Sequence, residues 1–172
     1  MTVERKAAVT LKGAPLTVIG PELKPGDKAP DATLVANDGS AVSLDDYAGK
    51  LRLISVVYSL DTGICDLQTH RFNQAAADLG PGAVVLTIST DLPFAQKRWC
   101  GASGLDGVIT LSDHRSMSFG DAYGTHIREL RMEQRAIFVV DREGIVRHAE
   151  YVPEVGQHPD YDRALAVARA LA

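Results

Sequence analysis

The sequence predicts a mixed α/β fold, a central sheet flanked by helices, and three observations carry that prediction. Short apolar runs of strand type alternate with segments of helical period through the middle of the chain. A hairpin signal comes late, at Arg142-Glu143-Gly144 between two apolar runs. No internal repeat or long linker divides the 172 residues, a length that fits one domain (1–172) burying on the order of 70% of its unfolded surface.

Taken in order, residues 10–12 and 16–18 form a hairpin across Gly13-Ala14, an extension occupying residues 1–20. A second strand pair, 32–35 with 41–44, turns at Asn37-Asp38-Gly39-Ser40, a strong hairpin signal. Leu53, Ile54, Val56 and Val57 make 51–58 a buried parallel strand. A turn follows in which Asp61 and Thr62 suit a helix N-cap. From Cys65 onward Phe72, Ala75, Ala76 and Leu79 recur near a helical period, which puts Cys65 in the first turn. A strand at 83–89 precedes a helix entered at Pro93, the position proline favours. Next come a strand at 108–111, a helix at 116–123, the hairpin of 136–141 with 145–151, and a helix from about Asp160 that packs through Ala164, Leu165, Ala168 and Leu171.

The bulk properties exclude several functions. With 45% hydrophobic and 23% charged residues the chain is an ordinary globular one. A formal charge of -4, with Lys and Arg scattered, offers no face for a phosphate backbone, so no nucleic acid is expected. Met1-Thr-Val-Glu-Arg-Lys lacks the apolar core of a secretion signal, and no apolar segment nears the roughly 20 residues that span a membrane. A cytoplasmic protein without membrane association is expected. In a reducing compartment its 2 cysteines suit catalysis better than bracing.

A cysteine in a first helical turn faces free N–H groups and the positive end of the helix dipole. Such placement can move a thiol pKa from about 8.5 to roughly 3.5–7.5. Free cysteines also serve as small buried hydrophobes, and position alone leaves both readings open for Cys65. Thr62 is in isolation a cap, and Arg135, just before an apolar strand, a surface or ion-paired arginine. His70, His114, His126, His148 and His158 show no metal-ligand spacing with the cysteines, so no metal and no cofactor are expected. His70, roughly 140° around the helix from Cys65, reads as solvated. Asp61 reads as a turn residue and Trp99 as a packing residue.

The string Tyr58-Ser-Leu-Asp-Thr-Gly-Ile-Cys65, continuing as Asp66-Leu-Gln-Thr-His-Arg-Phe-Asn73, and the later Asp91-Leu-Pro-Phe-Ala-Gln-Lys-Arg-Trp-Cys100-Gly101 resemble the thiol peroxidase branch of the peroxiredoxins. Leu11-Lys-Gly13, Ala122-Tyr-Gly124, the segment from Arg135 to Asp141 and Tyr151-Val-Pro-Glu154 extend the resemblance over nearly the whole chain. It implies a thioredoxin fold with an N-terminal hairpin extension. The implied activity is a thiol-dependent peroxidase acting on hydrogen peroxide and organic hydroperoxides. Cys65 would attack the peroxide, aided by Thr62 and by Arg135, which would stabilise the thiolate and bind a peroxide oxygen. Cys100 would resolve the resulting sulfenic acid as an intramolecular disulfide, thioredoxin would reduce it, and the chain would be a homodimer.

One position departs from the pattern: Tyr58 stands where peroxiredoxins carry the proline that shields the sulfur and fixes the loop. A tyrosine shields without locking, by filling the pocket mouth or by turning outward, so a slower or narrower peroxidase is expected. Two rival readings follow. A general disulfide oxidoreductase is disfavoured, because Thr62 occupies the first position of Cys-x-x-Cys. The other is a redox-sensing or chaperone-like binding protein switched by Cys65 oxidation.

Overall fold

Residues 2–172 are described by the computed structural model. β1 (Glu4–Leu11) and β2 (Ala14–Ile19) form the N-terminal hairpin, and both turn residues, Lys12 and Gly13, take positive φ (51° and 80°), as the right-handed twist of a two-residue hairpin demands. β3 (Thr33–Val35) and β4 (Ala41–Ser43) pair about the Asn37–Ser40 turn. There the Asp38 carboxylate accepts from the Ser40 N–H and hydroxyl, and Gly39 supplies the positive φ of 86°. A single 3-10 turn at Leu44–Tyr47, capped by Ser43, leads into the core.

The core alternates: β5 (Leu51–Val56), α1 (Gly63–Leu79), β6 (Ala83–Ser89), α2 (Pro93–Ser103) and β7 (Ile109–Ser112), with β5, β6 and β7 parallel. After α3 (Ser118–Tyr123) come the two-residue strands β8 (His126–Ile127) and β9 (Met132–Glu133). The hairpin of β10 (Ala136–Val140) and β11 (Val146–Tyr151) follows, then α4 (Tyr161–Leu171), whose N-cap Asp160 accepts from the Arg163 N–H. The main sheet has seven strands in the order β11-β10-β5-β6-β7-β3-β4, and a second sheet runs β1-β2-β8-β9.

Every residue of β5 is buried, because both faces of the sheet are covered. Leu51 and Leu53 face a cluster with Phe72 and Leu79 of α1 and Leu165 of α4. Ile54 and Val56 face the opposite cluster, where Phe119, Tyr123 and Phe138 pack as an aromatic group. Side chains of this size contribute about 1.5–3 kcal/mol each on full burial, so the β5 region anchors the fold.

The structure departs from the sequence expectations at edges. The N-terminal hairpin is longer than 10–18 and recruits β8 and β9, strands too short to show any period. Strand β5 stops at Val56. Val57 still donates to the Ile88 carbonyl at 2.9 Å, but Tyr58 has left the sheet. Helix α3 begins at Ser118 rather than 116, since Met117 adopts left-handed backbone (φ 55°). Among the described residues no helix is long and apolar enough to cross a membrane.

Candidate active site

Strand β5 delivers the chain to the loop 57–62, and Thr62, extended at φ -99° and ψ 143°, is the N-cap of α1. Cys65 is the third helical residue and fully buried. The antiparallel register of β10 on β5 pairs Ala136 with Val56. Arg135, one residue before β10, is thereby carried past the end of β5 and over the cysteine loop.

Arg135 is buried, with 1% of the residue exposed. Its Nη1 donates to Cys65 Sγ at 3.3 Å and to Gln68 Oε1 at 3.0 Å, and its Nη2 donates to the Val155 carbonyl at 2.9 Å. Gln68 is held in turn by its Nε2, which donates to Ser55 Oγ at 2.8 Å. A second donor, the Ser59 N–H, lies 3.5 Å from the sulfur. A cation and a main-chain N–H therefore converge on one buried sulfur, an arrangement suited to solvating a thiolate. Of Arg135's hydrogen-bond partners only Cys65 can carry a negative charge.

A pocket of about 290 Å³ opens beside this pair, lined by Leu11, Tyr58, Thr62, Ile64, Arg135 and Val155 among others. Its wall is mostly apolar, and Lys12, Thr62, Arg135 and Glu154 are among the polar residues that line it. The Thr62 hydroxyl, which the resemblance implies aids Cys65, is directed away from the sulfur. It donates to the Ser59 carbonyl at 2.9 Å, tightening the loop, because that carbonyl lies three residues back within the same turn. Tyr58 fills rather than vacates its place: half-buried, it packs against both Cys65's cluster and the Val9, Val18, Ile127 and Val155 cluster under the N-terminal hairpin.

Cys65 and Cys100 are both free thiols, the first buried and the second half-buried. Cys100 Sγ rests 3.6 Å from Thr110 Oγ1 of β7 and lines a separate cavity of about 420 Å³ beside Asn37 and Asp38. Its neighbour Trp99 instead packs against Val57, Leu60 and Cys65. His70 is less solvated than expected, since its ring meets Trp99 edge-on at 5.9 Å and lies 3.6 Å from the Asp66 carboxylate. Asp61 is exposed and plays no part in the pocket.

Sequence reasoning overlooked Gln68, Ser59, Val155 and Asp91. Gln68 had a usable signal: three residues beyond Cys65 it shares a helical face with the sulfur. Ser59 and Val155 act through main-chain atoms, to which residue type is silent. Asp91 accepts from the Ser59 hydroxyl, the Leu60 N–H and the Ser89 hydroxyl, ties that only the folded loop reveals.

Comparison with known proteins agrees with this geometry. The sequence profile of the Redoxin family matches residues 24–165. A thiol peroxidase of Halalkalibacterium halodurans is 57% identical over 95% of this chain and 98% of its own length. The thiol peroxidase of Bacillus subtilis is 54% identical over 96% and 98%. A peroxiredoxin-like protein from Aquifex aeolicus superposes with a TM-score of 0.89 at 37% identity, covering 97% of this chain and 99% of that one. The mixed sheet flanked by helices is the thioredoxin fold of such proteins. The chain belongs to the redoxin family, in the thiol peroxidase branch of the peroxiredoxins, and is a thiol-dependent peroxidase.

Proposed function

We propose that the Cys65 thiolate reduces hydrogen peroxide and organic hydroperoxides, with Arg135 as its electrostatic partner. The observation that carries this reading is the buried guanidinium whose one ionisable hydrogen-bond partner is Cys65, beside an apolar pocket. A sulfur lone pair attacks the distal peroxide oxygen, the O–O bond breaks, and the alkoxide or hydroxide leaves to take up a proton. Cys65 is left as a sulfenic acid. Arg135, with donors on both nitrogens, and the Ser59 N–H stabilise the charge as it passes from sulfur to oxygen. Thr62 lines the same pocket, and reorientation of its hydroxyl from the Ser59 carbonyl toward a bound peroxide would add a donor.

Cys100 then attacks the sulfenic sulfur, the Cys65–Cys100 disulfide forms and water leaves. A disulfide brings the two sulfurs to about 2.05 Å, so Cys65 Sγ exchanges its contact with Arg135, and Cys100 Sγ its contact with Thr110, for the new bond. A thioredoxin-type dithiol returns the pair to thiols by exchange, as suits a cytoplasmic chain. Exposed apolar side chains on the two helix starts, Leu67, Leu92 and Phe94 (81% exposed), support a homodimer formed beside the site.

In an assay that couples peroxide reduction to thioredoxin, Cys65→Ser should abolish turnover. Cys100→Ser should consume about one peroxide per chain and stall as sulfenic acid. Sustained turnover in Cys65→Ser sinks the nucleophile, and undiminished cycling in Cys100→Ser sinks the resolver. Sedimentation of the same samples should give a dimer, and a monomer at assay concentration would remove that part.

A further inference from the structure

Asp91, two residues past the end of β6, belongs neither to the pocket nor to the contacts of the two thiols. Its carboxylate is occupied by three neutral donors: Oδ1 accepts from Ser59 Oγ at 2.8 Å, and Oδ2 accepts from the Leu60 N–H at 2.9 Å and from Ser89 Oγ at 2.7 Å. Its own carbonyl accepts from Ser112 Oγ at 2.5 Å, and its N–H donates to Ser89 Oγ at 3.2 Å. The residue is thus fixed to the ends of both strands, its side chain to Ser89 of β6 and its carbonyl to Ser112 of β7. What it holds is the turn Ser59-Leu60.

That turn presents the sulfur's second donor. The Ser59 N–H points at Cys65 Sγ, and the Ser59 carbonyl accepts from the Thr62 hydroxyl at 2.9 Å and from the Thr62 N–H at 3.1 Å. Fixing the Ser59 side chain and the next N–H therefore fixes the main-chain atoms that aim at Cys65 and Thr62. On its other side Asp91 is followed by Leu92, the N-cap of α2, the helix that carries Cys100. One carboxylate ties the loop of the attacking cysteine to the foot of the helix that bears its partner.

Building on the reading of Cys65 and Cys100 above, we propose that Asp91 is a positioning residue: it latches the Ser59–Leu60 turn in the arrangement that reduces peroxide, and loss of its grip on that turn frees Cys65 to reach Cys100. While the latch holds, the Ser59 donor is aimed and the sulfur stays against Arg135. Disulfide formation requires Cys65 to leave that position, which pulls the turn away from Asp91. Attack on peroxide and attack by Cys100 then depend on the latch in opposite senses.

The test is single-turnover kinetics on full-length protein, with Trp99, the chain's one tryptophan, as the fluorescent reporter. The second-order step in hydrogen peroxide is read separately from the first-order step of disulfide formation. Asp91→Ala should slow the first step by about tenfold, the worth of one hydrogen bond to a charged group, and speed the second by a similar factor. Ser59→Ala keeps the carboxylate charge and removes one grip, so it should shift both steps the same ways by less. Asp91→Asn keeps an oxygen for the Leu60 N–H and should fall nearer wild type. At high peroxide, Asp91→Ala should also accumulate less sulfinic acid on Cys65, because its sulfenic acid is consumed sooner. If disulfide formation is unchanged or slower in Asp91→Ala and Ser59→Ala, the latch is wrong. A wild-type protein lacking either kinetic step would instead overturn the underlying reading of Cys65 and Cys100.

Discussion

Arg135 is a buried cation whose hydrogen-bond partners include no carboxylate, with its Nε also left without a partner. Such a charge costs several kcal/mol unless an anion answers it, and Cys65 is the one hydrogen-bond partner able to supply one. Tyr58 closes the site from the side of the N-terminal hairpin. Its ring bridges two apolar clusters, and its N–H has no backbone acceptor among the described residues. A proline there would therefore forfeit no main-chain hydrogen bond and would stiffen the loop. We expect Tyr58→Pro to raise the second-order rate of Cys65 oxidation measured by stopped-flow. A slower variant would show that the packing of the tyrosine ring outweighs backbone rigidity, making Tyr58 an adapted part of the site.

At the scale of elements, the N-terminal hairpin supports the site from outside the main sheet. The Glu154 carboxylate accepts from the Lys12 N–H at 3.0 Å, the Gly13 N–H at 3.3 Å and the Thr10 hydroxyl, and Val155 N–H donates to the Thr10 carbonyl at 2.9 Å. The Thr10 hydroxyl and those N–H groups hold Glu154 below the ordinary glutamate range. The hairpin tip thus fixes the segment whose Val155 carbonyl orients Arg135. Glu154→Ala should slow peroxide attack several-fold with little change in the circular dichroism spectrum, and an unaltered rate would remove the hairpin from the mechanism. The long elements were legible in the sequence, because the β5 apolar run and the helical period of α1 are local patterns, and so was Cys65 in the first turn of α1. The contact of Arg135 with Cys65 was not local. It depends on the register of β10 against β5 across 70 residues of chain, which only the motif resemblance foreshadowed. The contact of Cys100 with Thr110 was equally hidden, since which face of α2 meets β7 is decided by packing.

For the molecule as a whole, a second buried polar group lies away from the pocket. Glu133 of β9 is fully buried, accepts from the Thr125 hydroxyl at 2.5 Å and has its other oxygen unpartnered. Gly120 permits this approach, since a Cβ there would meet both Glu133 oxygens at 2.9 Å. Burial, with the neighbouring Asp113 carboxylate adding to it, pushes Glu133 well above the usual carboxylate range. A raised folded pKa contributes stability that is fully present below the ordinary glutamate range and is lost as pH climbs from there through the raised value. Within that window the loss is about 1.4 kcal/mol per pH unit for one proton. Glu133→Gln should flatten the fall in Tm from acidic to alkaline pH, and an identical profile would contradict a protonated Glu133. If the buried guanidinium of Arg135 and the Cys65 sulfur act as one catalytic unit, the second-order rate of Cys65 oxidation must differ between wild type and Arg135→Ala. Loss of a charged donor from a preorganised site predicts a rate lower by about two orders of magnitude or more, and an unchanged rate would contradict it.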